Sequence, residues 1–144
     1  MTGLSTSLED YLEAVYFLCR DGGSARASRV GALLGVSKPS VSAAMKTLAA
    51  RGLVSQERYG RITLSPSGVA AGGEIAGRHA MLKDFFTSIL GMDPAAAEAD
   101  ACRAEHAISR EALARMGRLA AFLKGPARRS ALAAARRSAA GRRP

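Results

Sequence analysis

One stretch restricts the fold more than any other: residues 28–64 follow the order helix, glycine turn, helix and two strands. Gly35 supplies the turn, and the second helix begins at Ser37, a favourable N-cap. Pro39 lies in the first turn of that helix, where its missing N–H breaks no hydrogen bond. The apolar positions then recur with a helical period, at Val41, Ala44, Met45 and Leu48. Two β-like runs at 53–57 and 61–64 complete a pattern that predicts a winged helix-turn-helix.

The outward face of this second helix is small, polar and basic. Such a face suits a DNA major groove, because short side chains let the backbone approach the bases while hydroxyl and ammonium groups bond to base edges or phosphates. From Arg26 to Arg61 there are seven basic residues and one acid, Glu57. The alternative to DNA contact is that these basic residues form an ordinary solvent-exposed face. The candidate DNA contacts lie before the first helix of this motif, on its second helix and at the predicted hairpin tip, and they are Arg26, Ser37, Lys38, Pro39, Ser40, Ser42, Lys46, Arg58 and Arg61.

Composition favours a mainly helical protein with a polyanionic partner. Of 144 residues 48% are hydrophobic but only 5% are aromatic, so the core must be aliphatic and rich in alanine. A net charge of +9 points to nucleic acid, unless the basic tail merely keeps the chain soluble. Two distant cysteines and no secretory or membrane-length apolar segment predict the reducing cytoplasm, with no membrane partner.

The chain divides into three predicted parts. Residues 1–65 form the winged helix-turn-helix domain, and residues 66–125 form an α-helical dimerisation and metal-binding domain. Its helices carry more apolar surface than one small domain needs, which favours a homodimer. Residues 126–144, with six arginines and no acid, are expected to be a largely disordered basic tail. The predicted fold class is therefore mainly α with a small β-hairpin.

A possible metal site lies near residue 105. The run 95–109 contains neither proline nor glycine and predicts one helix. On a helix Cys102, Glu105 and His106 share a face, and thiolate, carboxylate and imidazole are ligands of borderline divalent metals. Alone this signal is weak, since the same residues also suit an ordinary helix surface. Nothing in the sequence indicates the substrate cleft that a metal hydrolase needs, so no enzyme activity is expected.

Several motifs together resemble the diphtheria toxin repressor and manganese transport regulator (DtxR/MntR) family of metal-dependent bacterial repressors. They are Leu8-Glu9-Asp10-Tyr11-Leu12-Glu13, Val36-Ser37-Lys38-Pro39-Ser40-Val41-Ser42, Arg78-His79, Leu90-Gly91 and Glu105-His106-Ala107-Ile108-Ser109. The resemblance covers about residues 6–124, in order and with consistent spacing. It implies a homodimer that binds a palindromic operator in double-stranded DNA when loaded with metal.

The resemblance also implies a ligand set and a metal. The implied ligands are Asp10, Glu13, His79, Cys102, Glu105 and His106. The set mixes features of two branches, because Asp10 and Glu13 match the manganese branch whereas Cys102 matches the iron branch. Hard oxygens favour Mn(II) and a thiolate favours Fe(II), so Mn(II) or Fe(II) is expected, with manganese slightly preferred. The alternative within DNA binding is a metal-independent winged-helix regulator that responds to a small molecule.

Overall fold

The computed structural model describes residues 3–20, 23–57 and 60–141. Over these residues the chain forms seven α-helices and one small antiparallel sheet, which confirms the predicted fold class. Two compact units are present, one ending at Ala76 and the other beginning at Gly77. No helix in the described ranges has both the length and the apolar composition needed to cross a membrane.

The first unit contains three helices and the sheet. Its elements are α1 (Thr6–Cys19), β1 (Ala25–Arg26), α2 (Ala27–Leu34), α3 (Lys38–Ala50), β2 (Val54–Gln56) and β3 (Arg61–Leu64). The hydrophobic core joins all three helices to the sheet, and Leu12, Val30, Met45 and Ile62 are almost completely buried in it. Burial of such side chains contributes about 1.5–3 kcal/mol each. Helix α3 is thus packed against α1 and α2 in a single core.

The helix-turn-helix has the predicted form. Gly35 ends α2 with φ of 66°, a left-handed conformation that a glycine adopts without steric cost. The Ser37 hydroxyl accepts a hydrogen bond from the backbone N–H of Ser40, which confirms Ser37 as the N-cap of α3. The predicted inward positions Val41, Ala44, Met45 and Leu48 are the buried residues of α3.

The wing has one strand more than the sequence predicts. Strands β2 and β3 form the expected hairpin, and β1 pairs with the other edge of β3, so the strand order is β1-β3-β2. A two-residue strand has no hydrophobic alternation of its own, and it forms here because Ala25 lies opposite Ile62. The predicted tip residue Arg58 lies outside the described residues.

The remaining elements begin with a long helix that continues into the second unit. They are α4 (Pro66–Asp84), a π-helical turn (Phe85–Ile89), α5 (Pro94–Ala104), α6 (Arg110–Leu123), a 3-10 turn (Pro126–Arg128) and α7 (Arg129–Ala140). The domain boundary at residue 65 stays a prediction, and the first compact unit extends along α4 to Ala76. The reason is that Ile75 is buried in the first core and that Gly72 lies against the Tyr16 ring, where a Cβ would come within 2.8 Å of a side-chain carbon.

The basic segment after Pro126 is helical in the structure, whereas the sequence predicts a largely disordered tail. Alanine-rich composition favours helix α7, and Leu132 packs beside the cluster of Phe85, Ile89 and Ala120. The guanidinium of Arg128 lies 3.7 Å from the ring centroid of Phe122, a cation–π contact. A few anchored side chains therefore hold this segment on the second unit.

Ser65 joins the wing to α4 and gives a prediction about stability. Its hydroxyl donates to the Gly52 carbonyl at 2.6 Å and accepts from the Gly68 N–H at 3.0 Å. Ser65→Ala removes both bonds and is expected to lower the free energy of unfolding by about 1 kcal/mol. Urea denaturation measures this change. Ser67→Ala, an exposed substitution in the same turn, is the control and should leave stability nearly unchanged; equal effects of both would contradict the assigned role of Ser65.

Candidate metal centre and DNA-binding surface

Two helices of the second unit present pairs of polar side chains one turn apart. His79 and Lys83 lie on α4, and Glu98 and Cys102 lie on α5, each pair with the i,i+4 spacing that brings side chains together. Asp93 is the N-cap of α5, and its carboxylate accepts hydrogen bonds from the N–H groups of Ala95 and Ala96. The helix ends at Ala104, so that Glu105 is the C-cap and His106 lies in the following turn.

Glu105 is a buried carboxylate held between two imidazoles. Only 1% of its surface is exposed. His79 Nδ1 lies 2.9 Å from Glu105 Oε2, and His106 Nε2 lies 3.1 Å from Glu105 Oε1. A carboxylate taken out of water is costly unless polar partners compensate it, and here each oxygen has one. The result is a preformed group of two nitrogen donors and one carboxylate.

Cys102 belongs to a different group from the one the sequence indicates. The continuous helix that the sequence predicts over residues 95–109 is wrong beyond Ala104, where α5 ends with Glu105 as its C-cap, while the role of Cys102, Glu105 and His106 as common ligands stays a prediction. Cys102 is exposed while Glu105 is buried. The ligand atoms of Cys102, His79 and Glu98 instead lie within 4.8 Å of one another. His79 contacts a carboxylate of each group and links them.

Lys83 already binds the carboxylate in the group formed by His79, Glu98 and Cys102. His79 Nε2 lies 3.0 Å from Glu98 Oε1, and Lys83 Nζ lies 2.7 Å from Glu98 Oε2. The Lys83 hydrogen bond is the main reason that the pKa of Glu98 is lowered, and burial opposes it. Both His79 nitrogens face carboxylate oxygens, so metal bound at either nitrogen must displace a hydrogen bond. Lys83 and Glu98 are not among the predicted ligands, although their i,i+4 spacings from His79 and Cys102 place them beside these residues.

The donor chemistry of the second unit suits a divalent transition metal. Imidazole nitrogens from His79 and His106 and the oxygens of Glu105 are ligands that Mn(II), Fe(II) and Zn(II) share, and the Cys102 thiol adds a softer donor. The buried Glu105 is already oriented by its two partners, as a ligand requires. Asp10 and Glu13 belong to α1 of the first unit, and their membership of a common site stays a prediction.

The exposed face of α3 has the predicted composition. Lys38, Pro39, Ser40, Ser42 and Lys46 are all exposed, while the opposite face is buried in the core. Next to them, the Ser37 and Ser40 hydroxyl oxygens lie 2.8 Å apart, so one donates to the other. Hydroxyls held in this way at a helix N-terminus can contact phosphate oxygens.

Two arginines face each other across the wing. Arg26 of β1 and Arg61 of β3 are paired in register, and both are exposed. Arg61 Nε donates to the Ser24 hydroxyl at 3.1 Å, which holds this guanidinium near its neighbour. Like charges directly opposite each other are destabilising in a sheet, and a polyanion relieves that repulsion. The helix-turn-helix and its sheet place the protein in the winged-helix class, and the exposed α3 face and this arginine pair have the charge that suits a polyanion.

Comparison with protein families agrees with this class. Residues 3–62 match the family described as iron dependent repressor, N-terminal DNA binding domain. Residues 65–129 match the description iron dependent repressor, metal binding and dimerisation domain. An HTH-type transcriptional regulator MntR of Shouchella clausii is 34% identical over 118 residues, which are 82% of each chain. An uncharacterized HTH-type transcriptional regulator of Methanocaldococcus jannaschii is 34% identical over 114 residues, 78% of this chain and 91% of the other.

Solved structures show the same fold. A manganese-dependent transcriptional repressor in complex with manganese is similar with a TM-score of 0.72 and 27% identity, over 80% of this chain and 53% of the other. The IdeR structure from T. acidophilum is similar in fold with a TM-score of 0.68 and 22% identity, over 75% and 51%. The chain thus spans about half the length of these solved relatives.

The chain belongs to the DtxR/MntR family of iron-dependent and manganese-dependent repressors. It is accordingly a metal-dependent transcriptional repressor with a DNA-binding domain and a dimerisation domain, and its relatives are regulators rather than enzymes.

Proposed function

We propose that this protein represses metal homeostasis genes by binding a palindromic operator as a homodimer when it is loaded with Mn(II) or Fe(II). The observation that carries the proposal is the buried Glu105 carboxylate between the imidazoles of His79 and His106. A purely structural carboxylate is seldom buried with two imidazoles, since an apolar side chain would fill the space at lower cost. In this proposal residues 1–65 bind DNA, and residues 66–125 hold the metal and the dimer contact.

The proposed ligands come from three helical segments and one turn. Glu105 and His106 form the centre, His79 comes from α4, and Cys102 comes from the last turn of α5. Asp10 and Glu13, three residues apart on α1, complete the set. A bound divalent cation would supply the positive charge that lets these carboxylates share one site, because without it they repel one another.

The metal preference follows from the donor atoms. Four of the six proposed ligands are carboxylate or thiol groups, and the three carboxylates favour Mn(II) whereas the thiol favours Fe(II). The curated relatives named for manganese support the first choice. We therefore propose Mn(II) as the preferred metal and Fe(II) as the second.

In the first unit α1 and α3 share one hydrophobic core, so restricting the position of α1 also restricts the position of α3. Leu12 and Val15 of α1 are buried in the same core as Val41 and Leu48 of α3. If Asp10 and Glu13 bind the shared site, α1 is held, and the separation of the two α3 helices in the dimer is set at roughly one DNA turn, about 34–36 Å. Leu90 and Leu119, large apolar side chains exposed on the second unit, support a dimer surface there.

A DNA selection experiment tests the proposal without knowledge of the operator. Metal-stripped full-length protein is incubated with a library of random double-stranded DNA in Mn(II), in anaerobic Fe(II) or in chelator. The expected result is enrichment of one sequence with two symmetric half-sites only when metal is present. Enrichment of the same sequence in chelator would support a metal-independent winged-helix regulator and would contradict the proposal.

A further inference from the structure

The group formed by His79, Glu98 and Cys102 has the geometry of a metal site but contains its own cation. One imidazole nitrogen, one carboxylate oxygen and one thiol lie within 4.8 Å of one another. Lys83 Nζ is 2.7 Å from Glu98 Oε2, and the other Glu98 oxygen lies 3.0 Å from His79 Nε2. Both oxygens of this carboxylate are therefore already engaged by nitrogen donors.

The position of Lys83 makes its cation hard to displace. Lys83 follows His79 by one turn on α4, and the carboxylate that binds both residues comes from α5. Because Lys83 belongs to the same helix as His79, its ammonium pairs with Glu98 without the need to recruit a free cation from solution. A divalent cation at Glu98 has to lie within a few ångströms of this ammonium, and like charges at that separation repel each other.

We propose that Lys83 is a built-in cation that keeps Glu98 from acting as a metal ligand, so that no second ion binds beside His79 and Cys102 and each subunit binds a single metal ion, centred on Glu105 and His106. The inference rests on the proposed metal-binding function and adds to it the stoichiometry and the residue that determines it. Lys83 acts through Glu98 as a positioning residue: Glu98 binds one nitrogen of His79, and the other nitrogen faces Glu105. His79 is thereby oriented toward the group that accepts metal.

The contrast with Glu105 supports the distinction between the two groups. Glu105 is 1% exposed and both its oxygens face imidazoles, whose ring nitrogens can act as metal ligands. Glu98 is 47% exposed at its side chain, and one of its partners is an ammonium, which offers no lone pair to a metal. A metal at Glu105 meets ring nitrogens that can act as ligands, whereas a metal at Glu98 must displace the tethered ammonium of Lys83.

Metal counting with matched variants tests the inference. Metal-free full-length protein is titrated with Mn(II), and unbound Mn(II) is followed by its electron paramagnetic resonance signal. The wild type and Lys83→Arg are expected to bind one metal per subunit, and Lys83→Glu is expected to bind two. Lys124→Glu is the matched control: Lys124 also pairs with an acid, Asp84, and the two pairs are equally exposed, with lysine side chains at 41% and 45%. That control should bind one metal.

Each outcome decides between the proposals. Two metals per subunit in the wild type, or one in Lys83→Glu, would overturn the role of Lys83 while leaving the metal-dependent function intact. No metal in the wild type but one in Lys83→Glu would support this role of Lys83 and would contradict the proposed function. No metal in either protein would overturn both.

Discussion

Glu105→Gln is expected to reduce the affinity for Mn(II) by about 100-fold or more, because it removes the central negative charge while preserving the shape of the side chain. Loss of residues that only orient metal ligands commonly lowers affinity 10–100-fold, and a ligand lost from the buried centre should reach or exceed the upper end. A 100-fold loss corresponds to about 2.7 kcal/mol. Glutamine still offers one carbonyl oxygen to an imidazole, so the fold is expected to remain.

Isothermal titration calorimetry of metal-stripped protein measures this effect. The matched control is Glu111→Gln, which removes the same charge from an exposed acid of α6 that pairs with Arg115. This control should bind Mn(II) as the wild type does, and circular dichroism should show the same helix content for all three proteins. Equal Mn(II) affinity of Glu105→Gln and the wild type would mean that the buried carboxylate serves the fold and not the metal.

The second large effect is expected on DNA binding when the two lysines of α3 are neutralised. Lys38 and Lys46 are exposed on the face opposite the core, so Lys38→Gln/Lys46→Gln leaves the packing of α3 unchanged. Each lysine that contacts a phosphate releases about one counterion, and its loss should reduce the slope of log affinity against log salt by about one. The double variant is therefore expected to bind the selected operator much more weakly at low salt and with a flatter salt dependence.

Fluorescence anisotropy over a range of salt concentrations measures both quantities. Arg103→Gln/Arg115→Gln is the matched control, since it removes two exposed positive charges from the second unit. It should bind with nearly the wild-type slope. An unchanged slope in the lysine variant would show that α3 does not contact the DNA backbone through these residues.

Helix α3 was predictable because three independent sequence signals coincide in it. Ser37 caps it, Pro39 occupies its first turn, and the positions Val41 to Leu48 have a clear helical period. Strand β1 was not predictable, because two residues become a strand only through pairing with β3. Local signals determine the first element, whereas tertiary contacts determine the second.

The metal-binding region shows where the sequence pattern fails. No glycine or proline interrupts the run 95–109, so the sequence predicts helix throughout. The structure ends α5 at Ala104, since Ala101 and Ile108 pack in one cluster with Leu82 and the chain must turn there before Ser109 caps α6. The residue types of the site were therefore predictable, but the separation of Cys102 from Glu105 was not.

The end of the long fourth helix shows the same limitation. A uniform helical period predicts Phe86 and Ile89 on the buried side. The structure buries Phe85 and Ile89 while Phe86 is only partly buried, because a π-helical turn at Phe85–Ile89 shifts the register. Such a turn has no clear signal in the composition of five residues. It forms where packing against α6, through Ala120, favours the altered register.

The most direct test of the account is the affinity for the selected operator at a series of controlled Mn(II) concentrations, with a shuffled duplex as the reference. A metal that switches the dimer nearly completely must favour the DNA-binding state by about 10⁴-fold. We expect operator affinity to rise by several orders of magnitude as Mn(II) saturates the protein, while affinity for the shuffled duplex changes little. Tight operator binding that is equal in Mn(II) and in chelator would contradict it.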